Sequence, residues 1–175
     1  MSALTWAVAA VVTDRSGRVL LCRQSGGGRR WALPGGRLRR DESPVAAVRR
    51  EIRAETGWEV DLVDLVGLYR LGDAAGPPPP AGRCGALPDV LVHVFRARVA
   101  ADAPAGAPAG GCQLDWHPPD TLPEALTPTT RAAVADALAG HSGVLRETTP
   151  GGGDGPAGAV APPGQRAGGE LGTLR

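Results

Sequence analysis

The sequence predicts a domain of the α/β class. Several runs of β-branched and aliphatic residues are bounded by glycine, proline and aspartate, which is typical of strands. Two other segments are predicted helices, and the first of them begins with a helix-start signal and repeats its apolar residues with a helical period. Strands and helices that alternate along one chain of 175 residues indicate a single domain of ordinary size followed by a tail.

The first elements are strands. Residues 6–13 and 18–23 are β-type runs joined by the turn residues 14–17, so we expect a hairpin rather than a signal peptide. Residues 25–30 form a loop. Residues 31–33 are a short strand that Pro34, Gly35 and Gly36 end with a turn, because proline and glycine favour turn conformations.

A helix follows at residues 44–56. Ser43 is a suitable N-cap, Pro44 suits the first helical position, and Gly57 is a helix-ending residue. At about 100° per residue, Val45, Val48 and Ile52 lie on one side and form the predicted core face.

The remaining elements are spaced along residues 59–138. Strands are expected at 59–71, at 89–99 and around 113–116, and a last helix at 129–138. Residues 142–175 are dominated by glycine, proline and alanine, and they cannot bury enough apolar surface to offset their ordering entropy. The predicted organisation is therefore a domain at 1–141 and a disordered tail at 142–175.

Composition excludes several functions. All 19 basic residues are arginine, so neither a P-loop lysine nor a Schiff-base lysine exists here. The net charge of +1 predicts neither a nucleic acid polymer nor a membrane surface as partner, and no segment is apolar enough to span a bilayer. The three cysteines are scattered without a C-x-x-C pair, which argues against a disulfide framework or a cysteine zinc site and favours a reducing cytoplasm.

The helix at 44–56 carries Glu51 and Glu55 one turn apart, at the edge of its core face. Neither glutamate has a basic residue three or four positions away, so we expect no cationic partner on their own helix. A solvated acidic edge would explain the pair, and so would a divalent ion. Oxygen ligands at this spacing suit Mg²⁺, with Mn²⁺ as an alternative.

Residues 36–58, GRLRRDESPVAAVRREIRAETGW, resemble the Nudix box, G-x5-E-x7-R-E-U-x-E-E-x-G-U, where U is bulky and apolar. Trp58 fills the last apolar position. Ala54 departs from the pattern, because it stands where the first glutamate of the E-E pair is expected. The matching residues are Gly36, Glu42, Arg50, Glu51, Ile52, Glu55 and Gly57.

The resemblance implies an α/β/α sandwich around a mixed sheet and Mg²⁺-dependent hydrolysis of a nucleoside diphosphate linked to another group. It implies that Glu51 and Glu55 hold the metal and act on the attacking water, that Glu42 is an outer acidic member, and that Arg50 holds the glutamates in place. The carbonyl of Gly35 or Gly36 is a further candidate ligand.

Four questions stay open in the sequence. Arg23, Arg29 and Arg30 precede the box and are candidates for contacting substrate phosphates, but a solvated basic loop explains them equally well. Asp115 and Asp120 lie where a later loop could add a catalytic acid. Ala54 leaves a second function open, a nucleotide sensor with weak or no activity. The oligomeric state is also open, with a homodimer as one alternative.

Overall fold

The computed structural model describes residues 5–23, 30–71, 90–109 and 112–148. Arg29 and the proline-rich segment 77–80 lie outside the described residues. The described chain alternates strands with two helices, which confirms the α/β class. The elements are β1 Thr5–Thr13, β2 Val19–Arg23, β3 Trp31–Ala32, β4 Gly35–Arg37, α1 Pro44–Thr56, β5 Val60–Leu71, β6 Val90–Val99, β7 Gln113–His117, α2 Pro128–Leu138 and β8 Val144–Thr148.

The strands form one mixed sheet in the order β3-β2-β1-β6-β5-β8, with β4 paired to β1 and β7 paired to β2. The pairs β1–β6 and β5–β8 are parallel. The other pairs are antiparallel.

The helices cover opposite faces of this sheet. Side chains alternate between the two faces along a strand, so β1 contributes to two cores. Val8, Ala10 and Val12 pack with residues of α1, whereas Ala9 and Val11 pack with residues of α2. The predicted α/β/α sandwich around a mixed sheet is confirmed.

The predicted first helix is confirmed at both ends. The Ser43 side chain accepts a hydrogen bond from the Ala46 amide at 3.1 Å, and Pro44 begins the helix. Gly57 ends it at φ 75°, in the left-handed region that favours glycine. The predicted core face is only partly right, because Val45 is 44% exposed while Ala47 is fully buried. Alanine was overlooked because its small apolar surface gives a weak periodic signal.

The sequence had suggested a turn at the glycines after Pro34, but the structure places them in a strand. Gly35 and Gly36 belong to β4, which pairs with Ala9 and Val8 of β1. A Cβ on Gly35 would collide with the Val8 carbonyl oxygen and would lie 2.7 Å from the Ala9 Cα. Glycine is therefore needed here for close strand approach rather than for a turn.

The expected hairpin is confirmed only at its turn. Asp14 accepts hydrogen bonds from the amides of Ser16 and Arg18, but β1 and β2 pair only at Thr13 and Val19. The strands then separate, since β1 pairs with β6 and β4 while β2 pairs with β7 and β3.

The tail was predicted to begin at residue 142, but the chain after this residue still forms a strand. Residues 144–148 form β8, which pairs in parallel with β5. Arg146 binds the buried Asp136 with hydrogen bonds of 2.6 and 2.5 Å, and Thr148 donates to the Arg70 carbonyl. A buried charge partner compensates for the weak apolar content that had suggested disorder. Residues 149–175 lie outside the described part of the chain.

Candidate active site

The glutamate pair of α1 faces the glycines of β4. Gly36 passes so close to Glu51 that a Cβ at this position would lie 2.5 Å from Oε2 and 2.8 Å from Oε1 of the carboxylate. The Gly35 amide donates a hydrogen bond of 2.8 Å to Glu55 Oε2. Both carboxylates are therefore positioned against the same short strand.

Arg50 connects two of the acidic residues. Its Nε and Nη2 donate to the two oxygens of Glu42, each at 2.7 Å, and its Nη1 donates to Glu51 Oε1 at 2.5 Å. The hydrogen bonds from Arg50 lower the pKa of Glu42 to about 2. A planar guanidinium that engages two carboxylates fixes their orientation better than a flexible ammonium would.

One expectation about these charges was wrong. Glu51 does have a basic partner on its own helix, the adjacent Arg50, at 2.5 Å. Spacing rules consider residues three and four positions apart, but the long side chain of Arg50 reaches around the helix because Glu42 holds its other edge. Glu55 forms no ion pair with another of the described residues.

Glu55 lies in a less polar environment than Glu51. Burial raises the pKa of Glu55, and hydrogen bonds from the Gly35 amide and from the thiols of Cys22 and Cys112 oppose this rise. The Cys112 sulfur lies 3.8 Å from Glu55 Oε1. A half-buried carboxylate without a cation is costly unless an ion from outside balances it.

Comparison with known proteins decides the family. A sequence profile of the NUDIX domain matches residues 3–137. The chain belongs to the Nudix family. It is 30% identical to a MutT-like protein of Streptomyces ambofaciens over 141 residues. This aligned region covers 76% of each chain. It is also 34% identical over 61 residues to an RNA pyrophosphohydrolase of Teredinibacter turnerae, which covers 35% of this chain and 36% of that one.

The fold agrees with this family. A NUDIX hydrolase from Nitrosomonas europaea superposes with a TM-score of 0.62 at 24% identity, covering 81% of this chain and 93% of the other. The resemblance of residues 36–58 to the Nudix box is thereby confirmed, as is the enzyme class that it implied, a pyrophosphohydrolase.

The residues of the Nudix box fit the divalent ion that this family generally uses. Glu51 and Glu55 offer carboxylate oxygens, which are the ligands that hard divalent ions prefer. Gly36 leaves the space beside Glu51 open, which any larger residue would fill. Both carboxylate oxygens of Glu42 accept hydrogen bonds from Arg50, and its role as an outer acidic member stays a prediction. A ligand role for the carbonyl of Gly35 or Gly36 stays a prediction.

Of the arginines that precede the Nudix box, Arg23 points away from this cluster. Arg23 and Cys22 are consecutive in β2 and so point to opposite faces. The guanidinium carbon of Arg23 lies 5.9 Å from the centre of the Trp31 ring. The buried Nε of Arg23 has no hydrogen-bond partner among the described residues. Arg30 is exposed. Their contact with substrate stays a prediction.

The candidates for an added acid lie in β7 and in the turn that follows it. Asp115 is exposed and pairs with Leu21, whose side chain packs on the α2 face. Asp120 is exposed in the turn after β7.

A cavity lies on the α2 face of the Nudix sheet. Its volume is about 200 Å³, and Leu33, Leu71 and Val92 line its apolar side. Residues 127–130 at the start of α2 line the other side, where three of the four are threonines.

Sequence reasoning missed the two cysteines beside Glu55. Cys22 is 2% exposed in β2, and Cys112 directly precedes β7. The two strands are adjacent although 90 residues separate the cysteines along the chain. No local spacing signals such a pair, since it depends on which strands become neighbours.

Proposed function

We propose that this protein is a Mg²⁺-dependent hydrolase that cleaves the diphosphate linkage of a nucleoside diphosphate joined to another group. The observation that carries the proposal is the position of Glu51 and Glu55 side by side against β4, with Arg50 orienting Glu51. Mn²⁺ is the alternative ion. The substrate classes to be distinguished are nucleotide sugars, ADP-ribose, dinucleoside polyphosphates and modified nucleoside triphosphates.

Each side chain has a separate role in this proposal. Glu51 and Glu55 hold the ion and orient or deprotonate the attacking water, and Arg50 keeps Glu51 in place. When bound, Mg²⁺ neutralises phosphate charge and aligns the reacting groups, which is the main requirement of phosphoryl transfer. Gly36 keeps the space beside Glu51 free of a side chain, so that phosphate oxygens can approach the carboxylates.

The cavity supports binding of the nucleoside end. The cavity and the glutamates lie on opposite faces of the sheet, and residues 33–36 join them, because Leu33 lines the cavity and Gly36 lies beside Glu51. Three residues span at most roughly 10 Å, which is comparable to the length of a nucleoside diphosphate. Its apolar wall would contact a base, and its threonine hydroxyls would donate or accept hydrogen bonds at the base edge.

A panel of nucleotides with Mg²⁺ tests the proposal. We expect a nucleoside monophosphate as one product from at least one nucleotide of the classes named above, and loss of this product in Glu51→Gln. Glu59→Gln is the matched control, because Glu59 is an exposed carboxylate that pairs with Arg53 outside the site. No metal-dependent product from any compound would contradict the proposal.

The same panel separates an enzyme from a nucleotide sensor. Ala54 favours the sensor, since one box carboxylate is missing and Ala54 is exposed where a ligand would stand. A sensor would bind a nucleotide with micromolar affinity and leave it intact.

Location and partners complete the proposal. No helix among the described residues is long and apolar enough to cross a membrane. We expect a cytoplasmic protein that acts on small molecules. The relative named as an RNA pyrophosphohydrolase makes RNA a useful member of the panel, and we expect it to be left uncleaved because a net charge of +1 attracts no polyanion. A homodimer stays an alternative for the oligomeric state.

A further inference from the structure

Three chemically reactive side chains from different parts of the chain lie close together beside α1. The sulfur of Cys22, the sulfur of Cys112 and a carboxylate oxygen of Glu55 all lie within 4.8 Å of one another. Cys22 belongs to β2, Glu55 to α1, and Cys112 precedes β7. Neither the family resemblance nor the proposed hydrolysis requires either cysteine.

The donor set differs from that of a magnesium site. Two thiols and one carboxylate suit a thiophilic ion such as Zn²⁺, whereas Mg²⁺ takes oxygen ligands. A tetrahedral zinc ion with bonds of about 2.3 Å to sulfur and about 2.1 Å to oxygen places its sulfur and oxygen ligands about 3.6 Å apart. The distance from Cys112 Sγ to Glu55 Oε1 is 3.8 Å. Two sulfurs on the same ion would lie about 3.8 Å apart, so a pair at the limit of 4.8 Å must close by about 1 Å.

The backbone holds these groups at this separation. Cys22 pairs with Leu114 across β2 and β7, which makes Cys112 a diagonal neighbour. The segment before Cys112 is attached to the end of α1, because the Ala109 amide donates to the Ala54 carbonyl at 2.8 Å and the Ala105 amide donates to the Gly57 carbonyl at 2.8 Å. The first of these bonds is one residue from Glu55.

This register favours a bridging ion over a disulfide. Diagonal residues on neighbouring strands are roughly 7–8 Å apart, while disulfides need Cα separations of about 4.4–6.8 Å. Both cysteines are free in the structure. An ion would reach the site from the side of Cys112, which is partly exposed, whereas Cys22 is buried.

We propose that Cys22, Cys112 and Glu55 form a second metal site, which takes a thiophilic divalent cation such as Zn²⁺ and withdraws Glu55 from the hydrolytic site. With three protein ligands, the fourth position of a tetrahedral ion is open to water. Glu55 has one carboxylate to share, so an ion between the thiols and Glu55 Oε1 competes with Mg²⁺ for the same group. The expectation of no cysteine zinc site rested on local spacing alone, which cannot detect ligands from separate elements. Binding at this site stands by itself, and the inhibition rests on the proposed function.

Cobalt titration tests the binding. The parent is Cys84→Ser, because Cys84 is the remaining thiol of the sequence and its removal leaves only the two in question. Under reducing, oxygen-free conditions we expect Co²⁺ to produce sulfur-to-cobalt charge-transfer absorption that saturates at one ion per chain and that added Zn²⁺ abolishes. Cys84→Ser/Cys112→Ser and Cys84→Ser/Cys22→Ala should each lose most of this absorption.

Two variants keep the test decisive. Cys112 is partly exposed, so its serine variant should melt within a few degrees of the parent even if Cys22→Ala, in the core, does not fold. Wild type retains Cys84 and should show the same absorption as the parent. Absence of charge-transfer absorption in the parent, or its full retention in Cys84→Ser/Cys112→Ser, would overturn the site.

Zinc titration at saturating Mg²⁺ tests the competition. In the parent we expect Zn²⁺ to inhibit hydrolysis and a chelator to restore it, and in Cys84→Ser/Cys112→Ser at least about ten times more Zn²⁺ should be needed for the same inhibition. Equal sensitivity of both proteins would overturn the withdrawal of Glu55 while the cobalt spectrum still supports the site. If no substrate is hydrolysed, the proposed function fails, and the cobalt spectrum still decides the binding.

Discussion

Replacement of Gly36 by alanine should lower activity about a hundredfold without unfolding the protein. The new Cβ would lie 2.5 Å from Glu51 Oε2, whereas ordinary contact begins at about 3.5 Å. The Glu51 carboxylate must therefore move by about 1 Å. The group that moves is the end of a flexible side chain, so the cost in folding free energy is small. A misplacement of this size costs about a hundredfold in rate, or about 2.7 kcal/mol of activation free energy.

The assay is the initial rate of hydrolysis at saturating Mg²⁺, measured beside a thermal melt. Gly106→Ala is the matched control, because a Cβ there meets nothing within 4 Å. Gly35→Ala gives the opposite contrast, since its Cβ would collide with the rigid backbone of β1 and should lower the melting temperature. If Gly36→Ala folds and retains the rate of the wild type, Glu51 does not act from the position that the structure shows.

Four further changes test other parts of the structure. Glu55→Gln preserves the shape of the side chain and removes its charge, so turnover should fall at least about a hundredfold with an unchanged melt; near-normal turnover would exclude Glu55 from the site. Ala54→Glu adds an oxygen ligand at an exposed position, and the Mg²⁺ concentration for half-maximal rate should fall severalfold; superimposed titration curves would show that residue 54 does not face the ion. Val92→Phe fills the cavity, and KM should rise about tenfold with little change in kcat; an unchanged KM would place the base elsewhere. Arg146→Leu leaves Asp136 without its strongest partner and should cost about 2–3 kcal/mol in urea unfolding at neutral pH; wild-type stability would show that β8 contributes little.

The Asp136 network also sets a pH dependence. Burial raises the pKa of Asp136, but hydrogen bonds from Arg146, His141 and Tyr69 outweigh burial and lower it to about 2, from 3.8. A carboxylate whose pKa is lower in the folded than in the unfolded state stabilises the fold at pH values above its unfolded pKa. This stabilisation is lost as the pH falls through its folded pKa. The wild type should therefore lose stability between about pH 4 and pH 2. The acid limb of Arg146→Leu should be flatter in the same window.

Local signals predicted the elements well and their neighbours poorly. Ser43, Pro44 and Gly57 mark the ends of α1 correctly because capping depends on adjacent backbone groups. The pairing of Gly35 with Ala9 depends on how closely two distant strands approach, which no local pattern encodes. The strand at 144–148 was assigned to the tail because its main anchor is the ion pair of Arg146 with a residue of α2 rather than an apolar run.

Local patterns also predicted some residues of the candidate site and missed others. The helical spacing predicted that Glu51 and Glu55 lie side by side, and the resemblance of residues 36–58 to the Nudix box added Glu42 and Arg50. The resemblance implied that Arg50 holds the glutamates in place, but the helical spacing rule missed its ion pair with Glu51, because that pair depends on how Glu42 holds the guanidinium. The thiols of Cys22 and Cys112 were missed because only the sheet brings them to Glu55.

Binding of Mn²⁺ tests the central claim most directly, because this ion substitutes for Mg²⁺ at oxygen sites and its free form is measured by electron paramagnetic resonance. The comparison is between the wild type and Glu51→Gln/Glu55→Gln, each titrated in the presence of a non-hydrolysable nucleoside diphosphate analogue. Our account predicts saturable binding to the wild type and at least about tenfold weaker binding to the double variant. Equal Mn²⁺ binding by both proteins would contradict the assignment of Glu51 and Glu55 as the metal ligands.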